Sequence, residues 1–277
     1  MIGARRHTDD RVRWETRVLG ALIVPFLLAA FFILYIRPQD TGSLFAWPIA
    51  PSMTSFVLAS AYFGGAYFFV RVVFEQQWHR IAVGFLPVTT FAALMMVATL
   101  LHWERFTHGN VSFVTWAVLY ASTPLLVFGA WLRNRGSDPR VLDPGEVEIP
   151  PAIRWIMGGL GALVLAVGPV LFVFANVLIA TWPWRLTPLT ARVIGACFAL
   201  TGVFGLVIAQ DRRWTAARIA IQSQAVGVSL ILVGIVRAWS DFKSGIATTW
   251  LFVGGMSMLL VALALLYAIL ERERWRI

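Results

Sequence analysis

Residues 155–180 have the sequence WIMGGLGALVLAVGPVLFVFANVLIA, an apolar stretch without a single charged side chain. A helix needs roughly 20 apolar residues to cross the hydrocarbon core of a bilayer, so this stretch is long enough to span one. The whole chain is 59% hydrophobic and only 13% charged. The predicted spans cover about residues 18–36, 50–70, 81–102, 111–132, 155–180, 189–209, 215–237 and 248–270. We therefore predict an all-α polytopic membrane protein with eight transmembrane helices.

The segments outside these spans are too short to bury a core of their own. They are an N-terminal arm (1–17), a connector (133–154) and a C-terminal tail (271–277). The first apolar stretch follows an arginine-rich arm but has no small-residue cleavage site, so we expect it to remain as the first helix. The single cysteine, Cys197, excludes an intrachain disulfide and is interpreted as a small apolar filler.

The chain contains an internal repeat with a spacing of 136 residues. Thr54 recurs as Thr190, Trp78 as Trp214, Trp103 as Trp239, Phe106 as Phe242 and Gly109 as Gly245. Residues 18–132 and 155–270 then hold four predicted spans each. Because a unit with an even number of spans keeps its orientation when it is duplicated, we predict two parallel four-helix repeats. Their pseudo-twofold axis is expected to run along the membrane normal.

The net charge of +9 follows the pattern of an inserted membrane protein. With a cytoplasmic N-terminus, the inner segments hold Arg5, Arg6, Arg11, Arg13, Arg17, Arg71, Arg80, Arg133, Arg135, Arg140, Arg154, Arg212, Arg213, Arg272, Arg274 and Arg276. The outer segments hold Arg37, Arg105, Arg185, Arg192, Arg237 and Lys243. The positive-inside rule therefore predicts cytoplasmic termini, and it accounts for the basicity without a nucleic-acid partner. The preference for arginine over lysine suggests a bacterial source, hence a plasma (inner) membrane location.

Polar residues on the seventh span are the first candidates for a binding site. Arg218, Gln222 and Ser229 are spaced so that they lie near one helical face, with Gln224 on a neighbouring face. Polar groups within a span are costly in hydrocarbon, so this face should turn toward protein or a cavity. One hypothesis is a ligand-binding lining. The alternative is that Arg218 extends to the membrane surface while Gln222 bonds to a neighbouring helix.

A second set of candidates lies in the predicted outer turns. If the outer turns of the two repeats meet, one extracytoplasmic pocket is expected between them. Its candidate residues are Trp47, His102, Glu104, Trp182, Arg237 and Asp241. Most of the 13 tryptophans in the chain, including those of the repeat, are interpreted as aromatic belts at the membrane interfaces.

His102 and His108 are weak candidates for a metal or haem site, because neutral imidazole is a common ligand for both. Their spacing does not put both rings on one helical face, and the second repeat has Ala238 and Ser244 at the corresponding positions. We therefore predict no cofactor, with a hydrogen-bonded interfacial cluster as the alternative to a metal or haem site.

No motif of a hydrolase, metalloprotease or nucleotide-binding protein occurs, so a non-enzymatic role is favoured. The first hypothesis is a transporter-like or binding protein for a small or lipidic molecule between the repeats. It predicts a cavity near the pseudo-axis, lined by Gln222 and Ser229. The second is an accessory or scaffold subunit of a membrane complex, which predicts a solid bundle. The third is a haem or metal protein using His102 and His108. The expected partners are the lipid bilayer and either a second copy or a membrane complex.

Overall fold

The computed structural model describes residues 9–276 and is all-helical over that range, apart from three isolated β-bridges. Eight helices are long and apolar enough to cross a membrane. They are α1 (Trp14–Ile36), α2 (Ser52–Phe74), α3 (His79–Leu101), α4 (Val111–Asn134), α5 (Pro151–Val173), α6 (Pro188–Gln210), α7 (Trp214–Arg237) and α8 (Ala247–Arg274). The prediction of eight membrane-spanning helices is confirmed, and the chain has the architecture of a multi-pass membrane protein.

The boundaries differ from the predicted ones where polar residues extend a helix or the backbone breaks one. Residues 1–8 of the predicted arm and Ile277 of the predicted tail lie outside the described residues. Helix α8 continues through most of the predicted tail to Arg274. The predicted span 155–180 is interrupted at Phe174, which leaves the helical conformation, and a short helix, Ala175–Thr181, follows.

The helix ends define two faces of the bundle. The connector face carries residues 75–78, 135–150 and 211–213 together with both described chain ends, and the loop face carries residues 37–51, 102–110, 174–187 and 238–246. Since the connector face holds the segments predicted to be inside, the positive-inside rule predicts that this is the cytoplasmic face.

Helices α2, α3, α6 and α7 form the centre of the bundle, and the other four surround them. The packed pairs are α1 with α2, α3 with α4, α5 with α6 and α7 with α8, while α2 packs on α7 and α3 packs on α6 across the centre. In an 18-residue apolar stretch of α2, 61% of the residues are buried, whereas in the equivalent stretch of α8 only 11% are. The outer helices therefore present their apolar surface to lipid.

Small residues allow the closest of these contacts. The backbones of α5 and α6 approach so closely that a Cβ atom on Gly202 would lie 2.5 Å from the amide nitrogen of Leu165. A Cβ atom on Gly161 would lie 2.8 Å from the amide nitrogen of Leu206. Helix association in lipid depends on such packing because no hydrophobic effect drives it there.

The repeated tryptophans do not all behave as interfacial residues. Trp78 and Trp214 are only 1% and 0% exposed, so the interpretation of these two as parts of an aromatic belt is wrong. Each packs inside the connector end of the bundle, where a large ring fills the space between helices. Trp103 and Trp239, by contrast, are 44% and 47% exposed near the loop face, which fits a belt position.

Candidate functional site

Two chain segments cover the connector face, and each forms a short antiparallel bridge with a turn between helices. The N-terminal arm pairs with the turn before α3, and the connector pairs with the turn before α7. The backbone bonds run from Val12 N to Gln76 O (2.9 Å), Trp78 N to Asp10 O (3.0 Å), Ile149 N to Arg212 O (2.8 Å) and Trp214 N to Val147 O (2.9 Å). Trp78, directly before α3, and Trp214, the first residue of α7, are 136 positions apart and make the same kind of contact.

Next to these bridges, His79 and Thr215 contact each other at the connector end of α3 and α7. The ring Nδ1 of His79 is hydrogen-bonded to the Asp10 carboxylate, and its Nε2 lies 3.0 Å from the Thr215 hydroxyl oxygen. That hydroxyl donates to Glu146 Oε2 over 2.7 Å, so it accepts a hydrogen bond from His79 Nε2. The chain of contacts links the arm, α3, α7 and the connector.

Among residues 9–276, the group His79, Asp143 and Glu146 has the spacing of a metal site. Histidine and carboxylates are ligands that Zn²⁺ accepts. Both nitrogens of His79 are already in hydrogen bonds, so an ion would have to displace Asp10 or Thr215. Sequence reasoning missed His79. Its one available signal was its position directly after Trp78 in the repeated turn.

Similar contacts recur on the loop face. Thr107 N donates to Ala46 O (2.9 Å), and Lys243 N, again 136 residues later, donates to Pro183 O (2.7 Å). Trp47 packs edge-on against Phe106 with ring centroids 5.2 Å apart, and Trp184 packs in the same way against Phe242 at 5.3 Å. In these contacts Trp184 has the role on the loop face that Trp47 has in the first half of the chain.

An apolar cavity of about 150 Å³ lies between α2, α3, α6 and α7. The three hydroxyls on its wall that make hydrogen bonds all donate to backbone carbonyls. Ser60 Oγ donates to Phe56 O (2.7 Å), Ser223 Oγ to Gly64 O (2.7 Å) and Thr201 Oγ1 to Cys197 O (3.1 Å). The wall is therefore suited to an apolar ligand. Gln224 is the predicted site residue that lines this central cavity.

A second apolar cavity, of about 120 Å³, lies between α1, α2, α3 and α4. Ala61, Gly65, Val88 and Leu200 line this side cavity and the central cavity alike, so the two adjoin. Phe26 of α1 lines the side cavity and is 43% exposed, which places the outer end of that cavity at the lipid-facing surface. On the α4 side, its wall includes Tyr120, whose hydroxyl is 2.9 Å from that of Tyr62.

The other residues of the predicted α7 site are engaged elsewhere. Arg218 forms an ion pair with Glu271 of α8, with its Nη2 atom 3.0 Å from Oε1. Gln222 Nε2 donates to Tyr267 Oη (2.9 Å), and Gln222 Oε1 accepts from Tyr67 Oη (2.8 Å). The amide thus bridges α2 and α8. Ser229 Oγ donates to Ala225 O of its own helix (2.8 Å).

The predicted loop-face residues each have contacts of their own. Arg237 lies over the rings of Tyr35 and Phe56, with its Cζ atom 5.0 and 4.6 Å from their centroids. Asp241 accepts a hydrogen bond from Met53 N at the start of α2 (2.8 Å). Trp47 packs against Phe106 and Trp116, and Trp182 packs against Trp184 and Phe252. His102 lies beside Arg192, and Glu104 is exposed.

His102 and His108 also have separate partners. Arg192 Nη1 lies 2.8 Å from His102 Nε2. A guanidinium has no acceptor, so this nitrogen of His102 must be unprotonated. Burial, together with the positive charges of Arg192 and Arg105, lowers the pKa of His102. His108 Nε2 lies 3.0 Å from Trp103 O, and its ring packs against Trp103.

Comparison of the chain with protein-family models, with curated proteins and with solved structures gives no match. The site must therefore be interpreted from its own geometry. The two adjoining apolar cavities, one central and one reaching the lipid-facing surface, are the arrangement with the clearest chemical preference, which is for a hydrocarbon ligand.

Proposed function

We propose that this membrane protein binds a lipidic molecule, with a hydrocarbon chain held in the central and side cavities. The observation that carries the proposal is the pair of adjoining apolar cavities, one at the centre of the bundle and one whose wall includes the exposed Phe26. A dry protein cavity of about 150 Å³ is known to bind a benzene ring. The two adjoining cavities therefore suit a segment of chain, and the lipid-facing end gives access from the bilayer.

We further propose that residues 18–132 and 155–270 are the two parallel repeats. Helix packing supports this. When each helix is exchanged with the helix four places along the chain, the packed pairs described above map onto one another. The paired contacts at the two faces, with their spacing of 136 residues in α3, α7 and the loops that follow them, support it as well. On this arrangement the central cavity lies on the pseudo-twofold axis, between the halves.

The proposed orientation has the connector face in the cytoplasm of a bacterial cell, with the protein in the plasma (inner) membrane. The arginines concentrated on that face support this orientation. The alternative of a scaffold subunit predicted a solid bundle, and the two cavities favour a binding protein over it.

Mass spectrometry of the purified protein tests the lipid-binding proposal. After exhaustive washing in detergent, we expect the protein to retain lipid in a fixed molar ratio. Ala61→Phe, which places a ring at the junction of both cavities, should abolish retention. Ala121→Phe, the same change at an exposed position on α4, is the matched control and should retain the lipid.

A second variant tests the same junction in case Ala61→Phe does not fold. A Cβ atom at Gly65 would meet only the flexible end of Leu27, at 3.4 Å, so Gly65→Val should fold and also fill the junction. Equal retention of lipid by the original protein and by a folded Gly65→Val or Ala61→Phe variant would overturn the proposal. A washed, folded protein that carries no lipid would overturn it too.

A further inference from the structure

A third cavity, of about 300 Å³, opens at the connector face between the two halves. Its walls come from α3, α4, α5, α6 and the segments at 135–140 and 210–213. Five arginines and two aspartates line this arginine pocket, which leaves an excess of three positive charges. The arginines are Arg135, Arg140, Arg154, Arg212 and Arg213.

Both aspartates of the pocket form ion pairs with the same arginine. Arg213, whose side chain is 5% exposed, has Nη2 2.6 Å from Asp138 Oδ2 and 2.6 Å from Asp211 Oδ2. Hydrogen bonds from Arg213 hold the pKa of Asp138 below its usual value, although burial acts in the opposite direction. This cluster holds the connector against the start of α7. Both carboxylates pair with Arg213, and among the described residues no other acidic side chain lines the pocket.

Arg212 forms an exposed ion pair with Glu148, with its Nη1 atom 3.7 Å from Oε2, and the other three arginines have no acidic partner in the part of the chain that the structure describes. Among residues 9–276, no carboxylate oxygen lies within 4.0 Å of the side-chain nitrogens of Arg135, Arg140 or Arg154. Arg154 is oriented by bonds from Nε and Nη2 to Ala209 O (3.1 and 2.8 Å). Arg135 lies over the ring of Trp131, with Cζ 5.4 Å from its centroid. Two positions on the wall are thus preorganised for an anion.

The other half of the molecule carries an anion of its own at the corresponding place. Arg135 and Trp131 correspond, 136 residues later, to Glu271 and Tyr267. The Glu271 carboxylate accepts from Trp214 Nε1 (3.0 Å) and from Arg218 Nε (3.0 Å). This comparison rests on the proposed repeat, whereas the pocket and its charge do not.

We propose that the arginine pocket binds a phosphate group. Guanidinium groups match the geometry of phosphate oxygens, and basic pockets between membrane helices are suited to anionic headgroups. Its inner wall is apolar, with Ala82, Leu86 and Val207 among its residues, so a phosphate that carries a hydrocarbon chain fits it. This site is distinct from the central and side cavities.

Native mass spectrometry of the full chain tests the proposal. The protein is released from nanodiscs of phosphatidylglycerol and phosphatidylcholine mixed in equal parts, and the bound phosphatidylglycerol is counted. The double variant Arg135→Gln, Arg140→Gln should bind it at least about tenfold more weakly, because each lost charge-assisted hydrogen bond costs about that factor. The control Arg272→Gln, Arg276→Gln removes the same charge from exposed positions at the same face and should bind normally.

A second arm distinguishes the sources of phosphate. Inorganic phosphate is titrated into the protein in pure phosphatidylcholine nanodiscs while its thermal unfolding is followed. Stabilisation by phosphate that is lost in the pocket variant, without selective lipid binding, assigns the site to a soluble phosphate. Equal lipid binding by the pocket and control variants, with no phosphate effect, overturns the proposal. Because Ala61→Phe leaves the arginine pocket intact, its loss of lipid would count for the cavities alone.

Discussion

The Nε2 atom of His79 lies 3.0 Å from the hydroxyl oxygen of Thr215, a residue 136 positions further along the chain. Asp10 of the arm and Glu146 of the connector, also 136 positions apart, hydrogen-bond to these two residues in turn. This contact joins α3 to α7 at the connector face. On the proposed repeat, the pseudo-twofold axis passes through this contact.

Removing the Thr215 hydroxyl should weaken the bundle. Thr215→Val leaves the buried Nε2–H of His79 and one oxygen of Glu146 without their partner, at a cost of about 1–3 kcal/mol. The measurement is thermal unfolding in detergent. Thr248→Val is the matched control, because the Thr248 hydroxyl is buried without a hydrogen-bond partner. Equal midpoints for the two variants would contradict the prediction.

Gly202 should tolerate no side chain. In Gly202→Ala the new methyl group would meet the backbone of Leu165, which cannot move independently of α5. We expect a loss of roughly 1–3 kcal/mol, the usual effect of overpacking. A Cβ atom on Gly159 of the same helix pair has nothing within 4 Å, so Gly159→Ala serves as the control in the same unfolding measurement. If both variants unfold alike, α5 and α6 do not pack as closely as described.

His102 should titrate below the usual histidine pKa of 6.5, since burial and its arginine neighbours disfavour the charged ring. A pKa that is lower in the folded than in the unfolded protein stabilises the fold above the unfolded value. This contribution is lost as the pH falls through the folded value. Histidine-labelled NMR in nanodiscs, with His102→Gln to assign the signal, measures the titration. A midpoint above 6.5 would be incompatible with the contact to Arg192.

Asp138→Asn should loosen the connector. The substitution removes one of the two carboxylates around the buried Arg213 guanidinium, and a loss on the order of 1–3 kcal/mol is expected for such a charged hydrogen bond. Because the pKa of Asp138 is lowered, its contribution persists from neutral pH down to the usual value of 3.8 and is lost only below it. Protease cleavage within 136–146 measures the effect, with the exposed Asp143→Asn as control. Unchanged cleavage in Asp138→Asn would refute the role of this pair.

The eight spans could be predicted because length and apolarity alone mark a membrane helix. The faces of those helices could not, since lipid and a protein interior select the same side chains. Trp78 and Trp214 were therefore assigned to the interface although both are buried. For the same reason sequence could not tell that Gln224 lines the central cavity while Gln222 bridges two helices.

The polar sites at the connector face escaped prediction for another reason. The residue 136 positions after His79 is a threonine, so identical residues do not mark this pair in the sequence. The arginine pocket draws its residues from four helices and two connecting segments. In the sequence its arginines are indistinguishable from those that set the orientation of a membrane protein.

The cross-packing of α2 on α7 has a consequence for biosynthesis. When α2 enters the membrane, α7 has not yet been synthesised, so the hydrogen bond from the Ser223 hydroxyl to the carbonyl of Gly64 cannot yet form. Thr54 likewise receives the indole N–H of Trp184 only after the connector has emerged. The first half is therefore incompletely packed while the second half is being synthesised. When the first half is expressed alone, it should be degraded rather than accumulate.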